Sequence, residues 1–404
     1  MSTEATRAAP DVVIAGGGPA GMMAGFLLAR AGVAVTVLEK HADFFRDFRG
    51  DTVHPSTLDL FAELGLLERL LSVPHDTVDD IQAVIGGRAY TVGNFARLPR
   101  PGNFIALMPQ WDFLNFVAGE AAKFPTFNLR MGCEAVDLIV GDGRVAGVRT
   151  AAGEDIRARL TVAADGRDSR LRAASGLPLR DLGAPIDVFW FRVPKERTAH
   201  NDTQGYLAGG EMVVAIDRGN NFQCARVIEK GAAERIQAKG IPAFRADVAK
   251  AAPDLAAGLE SLSSWDQVKL LSVSLDRLER WSRPGLLVIG DAAHAMSPVG
   301  GVGINLAIQD AVAAANLLAR PLAAGDDVDS LLDQVRARRM LPVRAVQALQ
   351  RTIHRTVIRA ALAGKVQKAP ALLRLVDRWP VLQQFPARLL GLGLRREHIR
   401  SPRA

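Results

Sequence analysis

Apolar runs separated by glycine predict a β-α-β unit at the start of the chain. Residues 11–15 form a short apolar run typical of a strand, and residues 19–31 have the pattern of a helix ended by Gly32. Residues 33–38 then form a second strand that ends in Glu39. The whole unit takes about 30 residues, the length expected of a doubly wound α/β fold.

Two more strands of the same kind lie far along the chain, at residues 160–164 and 286–289, and each is followed by a glycine-and-acid turn. The intervening pattern predicts antiparallel strands at residues 188–193, 212–216 and 222–227. An Asp-Gly pair at residues 142–143, between apolar runs, predicts a tight hairpin. One sheet is therefore expected to be assembled from separated segments, with a second sheet inserted between them.

The turn after the first strand carries a glycine fingerprint. Gly16 permits a tight turn, Gly18 lets the backbone approach a pyrophosphate, and Gly21 lets helix and strand pack closely. The helix N-terminus offers unpaired N–H groups and a positive dipole end to phosphates. Glu39 lies where a carboxylate binds a ribose diol and would repel a 2′-phosphate, which favours FAD or NAD over NADP. The candidate cofactor contacts of this unit are Gly16, Gly18, Pro19, Ala20, Gly21, Glu39 and Lys40.

Two further motifs follow strands at their carboxyl ends, where ligands of open α/β sheets bind. Asp165-Gly166 has DGxxSxxR spacing, and Gly290-Asp291 is followed by a loop at residues 298–303 that leads into a helix. Loop N–H groups at a helix N-terminus stabilise negative charge on a flavin ring. In this order, the three motifs predict one FAD held from adenosine to ring. The candidate contacts here are Asp165, Gly166, Gly290, Asp291, Pro298, Gly301, Val302, Gly303, Ile304 and Asn305.

The chain resembles the single-component, FAD-dependent aromatic monooxygenases of the para-hydroxybenzoate hydroxylase type, the class A flavoprotein monooxygenases. The resemblance covers roughly residues 10–320, and the stretch GDAAHAMSPVGGVGINLAIQDA is particularly specific. It implies that the fingerprint holds the ADP half of FAD, that Glu39 binds the adenosine ribose and that Asp291 binds the ribityl chain. It also implies that Asp165 takes part in FAD and NAD(P)H binding, and that the loop at residues 298–303 lies beside the isoalloxazine.

Individual positions add further expectations. Arg49 matches an arginine close to the cofactor, with a part in flavin or pyridine-nucleotide binding. Gln110 stands where many relatives carry arginine, so a neutral flavin contact is expected to replace a charged one. No catalytic base is assigned. His54 and His294 are candidates near the cofactor loops, but a structural or capping role is favoured for both.

The implied reaction is hydroxylation of an aromatic or heteroaromatic small molecule. NADH or NADPH reduces FAD, O₂ adds at flavin C4a, and the hydroperoxide transfers one oxygen to an electron-rich substrate. The chain shows no serine triad, metal-ligand cluster or obvious acid pair, so no metal site is expected. The chain also has no second fingerprint, which is consistent with transient docking of NAD(P)H on the FAD domain as in the family.

The predicted fold class is α/β, with a Rossmann-like FAD-binding domain built from discontinuous segments, an inserted and mainly antiparallel substrate domain, and a helical C-terminal tail. The boundaries are residues 1–80, 105–183 and 276–335 for the FAD domain, 81–104 and 184–275 for the substrate domain, and 336–404 for the tail. The substrate pocket is expected between the ring loop and the inserted sheet, with Trp190, Tyr206, Phe222 and Pro298 as candidate lining, although core packing is favoured for each aromatic residue taken individually. Strand alternation puts Trp190 and Phe191 on opposite faces, so at most one of them faces an apolar, fused-ring substrate.

Composition and charge set outer bounds. The 404 residues are 49% apolar and 23% charged, as in soluble globular proteins. The first ten residues lack the apolar core of a secretion signal, and the apolar stretches are too short to span a membrane. Two cysteines, Cys133 and Cys224, are too few for a disulfide framework. We expect both to be buried thiols of a protein in a reducing cytoplasm. A cytoplasmic protein is therefore expected. A monomer and a homodimer are both left open, because the sequence does not reveal the oligomeric state.

The tail is strongly basic. Residues 336–404 contain 16 Lys or Arg and two acids, a net +14, so the remaining residues sum to −7. An apolar helical stripe is predicted at Val346, Leu349, Ile353, Val357 and Ala361. A surface helix docked on the acidic body is the favoured interpretation, peripheral contact with an anionic membrane is the second, and nucleic-acid binding is not expected.

Other activities stay open to a smaller degree. A flavin reductase of an isoprenoid or other lipophilic substrate shares the same FAD motifs and would incorporate no oxygen. A halogenase of related fold normally carries a lysine some 60 residues past the fingerprint, whereas no lysine occurs between Lys40 and Lys123. A non-enzymatic protein that binds partners through its tail would leave the flavin site idle.

Overall fold

The computed structural model describes residues 9–45, 52–99, 101–195, 203–366 and 368–404. Within these residues the strands are β1 (Val12–Ala15), β2 (Val35–Leu38), β3 (Thr52–Val53), β4 (Asp76–Val78), β5 (Asp80–Ile85), β6 (Arg88–Asn94), β7 (Ile105–Leu107), β8 (Phe127–Arg130), β9 (Ala135–Gly141), β10 (Arg144–Thr150), β11 (Asp155–Arg157), β12 (Leu160–Ala163), β13 (Leu179–Asp181), β14 (Ile186–Pro194), β15 (Gln204–Ala208), β16 (Glu211–Asp217), β17 (Asn221–Glu229), β18 (Lys269–Ser272), β19 (Asp276–Leu278), β20 (Ser282–Arg283) and β21 (Leu286–Val288).

The α-helices of the same residues are α1 (Pro19–Arg30), α2 (Pro55–Glu63), α3 (Leu67–Leu71), α4 (Gln110–Ala121), α5 (Arg170–Ser175), α6 (Ala233–Gln237), α7 (Gly240–Ala251), α8 (Ala256–Leu259), α9 (Gly303–Ala324), α10 (Asp329–Ile353), α11 (Arg359–Leu362), α12 (Ala371–Arg378) and α13 (Gln384–Gly391). A π-helical turn, His354–Ile358, joins α10 to α11.

A six-stranded sheet in the order β20-β21-β12-β1-β2-β8 forms the first layer, and all its pairs except β20–β21 are parallel. Residues of β1, β2 and β12 are buried along their whole length, as strands covered on both faces should be. The central strands come from three distant segments, as the sequence pattern predicted. The α/β class with a parallel sheet is thus confirmed.

Helix α1 packs tightly on this sheet because small residues face it. A Cβ on Gly25 would approach Val37 Cγ2 to 2.7 Å, so a larger residue would push the helix away from β2. The helix begins at Pro19, a favoured first position, and ends before Gly32, whose φ is +84°. The predicted hairpin is also present, with φ of +50° at Asp142 and +76° at Gly143 between β9 and β10.

A seven-stranded sheet in the order β18-β14-β17-β16-β15-β5-β6 forms the second layer. The strands predicted at residues 188–193, 212–216 and 222–227 lie within β14, β16 and β17. All pairs are antiparallel except β15–β5. Helix α7 covers one face, where Phe244 packs edge-on against Phe189 and Phe191.

The C-terminal segment returns to the first layer. Arg339 and Arg338 contact Glu397, and the N–H of Ala404 donates to the carbonyl of Arg30 at 3.0 Å. Arg396 pairs with Asp59 at 2.6 Å. These contacts fasten the chain end to the body of the molecule.

Candidate active site

The turn of the glycine fingerprint packs closely against neighbouring backbone at Gly16 and Gly21 and leaves open space at Gly18. Gly16 has φ of +104°, and a Cβ there would collide with the carbonyl oxygen of Ala164. A Cβ on Gly21 would collide with the carbonyl oxygen of Gly16. At Gly18, by contrast, a Cβ would meet no heavy atom of the described residues within 4 Å. The backbone is therefore tight against the sheet and open in front of Gly18, a shape that suits a pyrophosphate.

The N-terminus of α1 faces this opening without a side-chain cap from the described residues. Gly18 is the N-cap residue, and the first helical bond runs from the N–H of Met22 to the carbonyl of Gly18 at 2.9 Å. The N–H groups of the first turn, including that of Ala20, have no partner within the helix. They and the helix dipole favour a bound anion.

Glu39 lies at the end of β2 beside the fingerprint, with 9% of its surface exposed. Its Oε2 accepts from the N–H of Gly17 at 2.9 Å and its Oε1 from the N–H of His41 at 3.1 Å. These bonds fix the carboxylate at the turn. Lys40, the next residue, is exposed.

The DGxxSxxR motif caps the N-terminus of α5 and forms a hydrogen bond with the Gly290-Asp291 turn. Asp165 accepts from Ser169 Oγ at 2.5 Å and from the N–H of Leu171 at 3.2 Å, while burial raises the pKa of Asp165. Gly166, at φ +90°, makes the turn between them. Arg172 donates to the carbonyl of Ala292 at 3.1 Å, which ties this motif to the Gly290-Asp291 turn. The Asp165 carboxylate therefore accepts hydrogen bonds from the first residues of the Ser169–Ser175 segment, which contains α5.

Asp291 forms an ion pair with Arg167, from Arg167 Nε to Asp291 Oδ2 at 3.1 Å, and both side chains are partly exposed. Arg167 Nη1 is buried and has no hydrogen-bond partner among the described residues. Arg167 was not among the residues predicted at the site, although a cation inside the second motif was the available signal. The pair brings the second and third motifs together.

His294 lies in the interior. Its Nε2 is 2.6 Å from Asp310 Oδ2, and Asp310 also accepts from Arg339 Nε at 2.9 Å and from the N–H of Gly290 at 3.2 Å. Burial opposes ionisation of Asp310, but His294 and Arg339 hold its pKa below the usual range. Only 1% of His294 is exposed, and its ring lies against Trp281. This arrangement supports the structural role and gives no access for proton transfer to a ligand.

His54 is also fully buried. Its Nδ1 is 3.0 Å from the carbonyl of Leu390, and its own N–H donates to Asn305 Oδ1 at 2.9 Å. Burial lowers the pKa of His54 to about 4, against the opposing effect of the carbonyls of Leu390 and Gly300. The ring is therefore neutral at pH 7, and its Nε2 has no partner among the described residues. His54 joins the tail to the loop at residues 298–303, which is called the ring-side loop below.

Asn305, at the start of α9, fastens the ring-side loop to β3. Its Nδ2 donates to the carbonyls of Thr52 and Gly301 at 3.1 and 3.4 Å, and Thr52 Oγ1 donates to the Gly301 carbonyl at 2.9 Å. Gly303 begins α9, and no side chain of the described residues caps that terminus. Gln110 is the first residue of α4 and is partly exposed. Arg49 lies outside the described residues.

Polar side chains of α10 and of the π-helical turn that follows it form hydrogen bonds with the segment that leads into the ring-side loop. Gln350 accepts from the N–H of Ser297 at 3.1 Å and donates to the carbonyls of Ser297 and Val299 at 2.9 Å each. His354 Nε2 is 2.9 Å from Ser297 Oγ. Gln347 donates to the carbonyl of Ala295 at 3.3 Å. Sequence reasoning missed these three polar side chains.

The apolar stripe predicted from Val346 to Ala361, which spans the end of α10, the π-helical turn and α11, is wrong in part. Leu349 and Val357 are 37% and 41% exposed, whereas Gln347, Gln350 and His354 are buried. The loop backbone contains N–H and C=O groups that need partners once buried, and polar side chains supply them.

The candidate pocket residues divide between the two faces of the seven-stranded sheet. Trp190 lies opposite Ala225, which lies opposite Val214, and this face packs with Val299 of the ring-side loop. Phe191, Tyr206 and Phe222 lie in the cluster under α7. Trp190 and Phe191 occupy opposite faces, as predicted. Tyr206 and Phe222 are core residues away from the ring-side loop, because strand alternation turns them to the helix-covered face, and Trp190 and Pro298 remain pocket candidates.

The parallel sheet, the fingerprint turn and the polar loop at the start of α9 together define a flavin-binding oxidoreductase. The model of the FAD binding domain family matches residues 9–351, and the chain belongs to that family. It is 32% identical to 6-methylpretetramide 4-monooxygenase of Streptomyces rimosus, over 94% of this chain and 91% of that protein. It is 29% identical to rifampicin monooxygenase of Streptomyces venezuelae, over 74% of this chain and 62% of that protein.

Among solved structures, PqsL of Pseudomonas aeruginosa in complex with 2-aminobenzoylacetate shares the fold with a TM-score of 0.77 at 20% identity, covering 89% of this chain and all of that one. The protein is thus a class A flavoprotein monooxygenase, an FAD-dependent enzyme that hydroxylates a small aromatic substrate with O₂. The reductase alternative is not supported. Among the described residues, no helix is long and apolar enough to cross a membrane.

Proposed function

We propose that the protein takes electrons from NADH or NADPH and hydroxylates a large, apolar aromatic molecule, with 6-methylpretetramide as the first candidate. The observation that carries the substrate proposal is the 32% identity to 6-methylpretetramide 4-monooxygenase over nearly the full length of both chains. The apolar face around Trp190 and Val299 supports it.

The proposed FAD contacts follow from the geometry. The open turn at Gly18 and the uncapped start of α1 bind the pyrophosphate, and Glu39 accepts from the adenosine ribose. Arg167 and Asp291 are proposed to contact the ribityl chain. Arg167 Nη1 supports this contact, because it is buried and has no hydrogen-bond partner among the described residues, so it is available to a hydroxyl group of the cofactor. The ring-side loop presents the N–H groups at the start of α9 to the isoalloxazine. FAD supplies the redox chemistry when bound.

The seven-stranded sheet is proposed to form the substrate domain, with residues 81–104 and 184–275 as its segments. On its Trp190 face, Met212, Val214 and Ile216 are partly exposed, whereas Val213 and Ala215 on the other face are buried. The incomplete cover of these side chains supports a ligand site on this face, beside Val299 of the ring-side loop. The apolar side chains of this face would exclude water from the reacting ring of a bound substrate.

The test is NADH and NADPH oxidation in air by FAD-loaded protein, with and without 6-methylpretetramide or other fused-ring phenols. Peroxide release and product mass are followed together. Substrate-stimulated oxidation with a product heavier by one oxygen atom is the expected result. Stimulated oxidation that yields peroxide alone would reject 6-methylpretetramide as the substrate. If neither NADH nor NADPH reduces the flavin, the proposed electron donor is rejected.

The basic tail is proposed to contact an anionic membrane surface. Trp379, Val381 and Phe385, around α12 and α13, are each more than half exposed, and Arg374 and Arg378 lie beside them. Exposed aromatic and apolar side chains beside arginines are typical of interfacial segments. Cosedimentation with phosphatidylglycerol vesicles, lost in a Trp379→Ser, Phe385→Ser variant, is the expected result. A change from dimer to monomer in that variant would instead identify the surface as a contact between two copies.

A further inference from the structure

Four arginines converge on one cavity between α10 and the two-stranded antiparallel sheet of β13 and β19, called the β13–β19 ribbon. The cavity has a volume of about 320 Å³ and is lined by Arg180, Arg277, Arg344, Arg351, Leu182, Gln347 and Ala348. Its size falls within the range of small-molecule sites. We call it the arginine pocket. It is separate from the face around Trp190 and from the glycine fingerprint.

The charge of the arginine pocket is largely uncompensated. Arg277 Nη1 donates to Gln347 Oε1 at 3.0 Å, and no acid of the described residues forms an ion pair with any of the four arginines. Burial, and then the like charges of Arg344, Arg180 and Arg351, lower the pKa of Arg277, while Glu279 acts in the opposite direction. Asp181, next to Arg180, accepts from the N–H of Gly183 at 2.8 Å.

Four guanidinium groups outnumber the two nearby carboxylates, Asp181 and Glu279, and neither carboxylate forms an ion pair with them, so the pocket favours an anion of more than one charge. A phosphate monoester carries close to two negative charges and three acceptor oxygens, and arginine forks bind it bidentately. A carboxylate ligand would neutralise only one arginine. The pocket therefore suits a terminal phosphate.

The pocket is also coupled to the segment that carries the ring-side loop. Gln347 accepts from Arg277 and donates to the carbonyls of Asp276 and Ala295 at 2.7 and 3.3 Å. Gln350, one turn further along α10, holds Ser297 and Val299. Two hydrogen bonds, from Arg277 to Gln347 and from Gln347 to the carbonyl of Ala295, therefore join an anion-binding arginine to the backbone that leads into the ring-side loop.

We propose that Arg180, Arg277, Arg344 and Arg351 bind the 2′-phosphate of NADPH and make the enzyme prefer NADPH over NADH. This inference rests on the proposed function, in which a pyridine nucleotide donates the electrons. The chain contains a single Gly-x-Gly-x-x-Gly stretch, at residues 16–21, where Glu39 repels a 2′-phosphate, so a second nucleotide must be recognised elsewhere.

The test is anaerobic reduction of the FAD-loaded full chain by increasing NADPH or NADH, together with calorimetric binding of 2′,5′-ADP. An Arg180→Ala, Arg351→Ala variant removes one exposed and one partly exposed arginine of the pocket, and Arg355→Ala removes an exposed arginine of the following π turn as the matched control. We expect the double variant to raise the Kd of NADPH and of 2′,5′-ADP by about tenfold or more, while the Kd of NADH and the limiting reduction rate stay unchanged.

Other outcomes are separable. Equal weakening of NADPH and NADH, or no weakening of either, would overturn the assignment of the 2′-phosphate. Loss of binding to phosphatidylglycerol vesicles with unchanged NADPH affinity would also overturn it and would assign the pocket to lipid headgroups. If neither nucleotide reduces the flavin of the wild-type protein, the proposed electron donor fails, whereas 2′,5′-ADP binding still reports on the pocket.

Discussion

A Gln350→Leu substitution isolates the effect of α10 on the ring-side loop. It removes one bond from the N–H of Ser297 and two bonds to the carbonyls of Ser297 and Val299, all between 2.9 and 3.1 Å. Gln350 is 2% exposed, so water does not readily replace it. At about 1 kcal/mol for each bond, the free energy of unfolding should fall by roughly 3 kcal/mol.

The more specific consequence concerns FAD. When the loop segment is released in the FAD-free protein, re-ordering it on binding costs about 1.4 kcal/mol or more, so the Kd of FAD should rise about tenfold or more. Titration of the apoprotein by flavin fluorescence measures this Kd, and urea unfolding measures the stability. Gln383→Leu is the matched control, since Gln383 is also buried in the tail but donates to the carbonyl of Asp377.

Both variants should lose stability, but Gln350→Leu alone should weaken FAD binding and alter the flavin absorption spectrum. If Gln350→Leu unfolds more easily yet binds FAD with wild-type affinity, α10 does not position the ring-side loop, and the reasoning is refuted.

Three further predictions concern the fingerprint and the buried ionisable groups. Gly16→Ala should abolish FAD retention during purification because its Cβ would strike the Ala164 carbonyl, whereas Gly65→Ala, at φ +69° with open space around it, should retain FAD; retention by both would contradict the close approach. Asp310→Asn removes the carboxylate that the buried Arg339 and His294 share and leaves Arg339 with Glu397 alone, so it should cost about 3 kcal/mol in urea unfolding; a loss under 1 kcal/mol would argue against a tightly coupled cluster. The folded-state pKa of His54, about 4, lies below its unfolded value of 6.5, so stability present above pH 6.5 should fall by about 3 kcal/mol as the pH drops to 4; His54→Asn should flatten that part of the stability profile.

Local patterns predicted the elements whose chemistry is contained in neighbouring residues. The β-α-β unit follows from an apolar run, closely spaced glycines and a terminal acid, and it folds as predicted at residues 12–38. The hairpin at Asp142-Gly143 follows from the positive φ that such a pair tolerates. The strands around Trp190 followed from alternation, which also separated Trp190 from Phe191.

Other features depended on which distant segments meet. The DGxxSxxR motif was visible, but its acid turns back to cap α5, while Arg167 turns out to pair with Asp291, 124 residues further along the chain. His294 stood in a cofactor-type motif, yet Asp310 holds it in the interior. No local rule assigns such partners, because they are set by the packing of separate layers.

The sequence by itself therefore determined the class of fold, the dinucleotide turn and the family, since each depends on short-range spacing and backbone conformation. The tertiary structure alone decided the polar face of α10, where Gln347 and Gln350 are buried against backbone groups of residues 295–299. It also decided the arginine pocket, because Arg180 and Arg277 meet Arg344 and Arg351 only once the β13–β19 ribbon lies beside that helix. Burial creates the need for partners, and the fold determines which side chains are near enough to supply them.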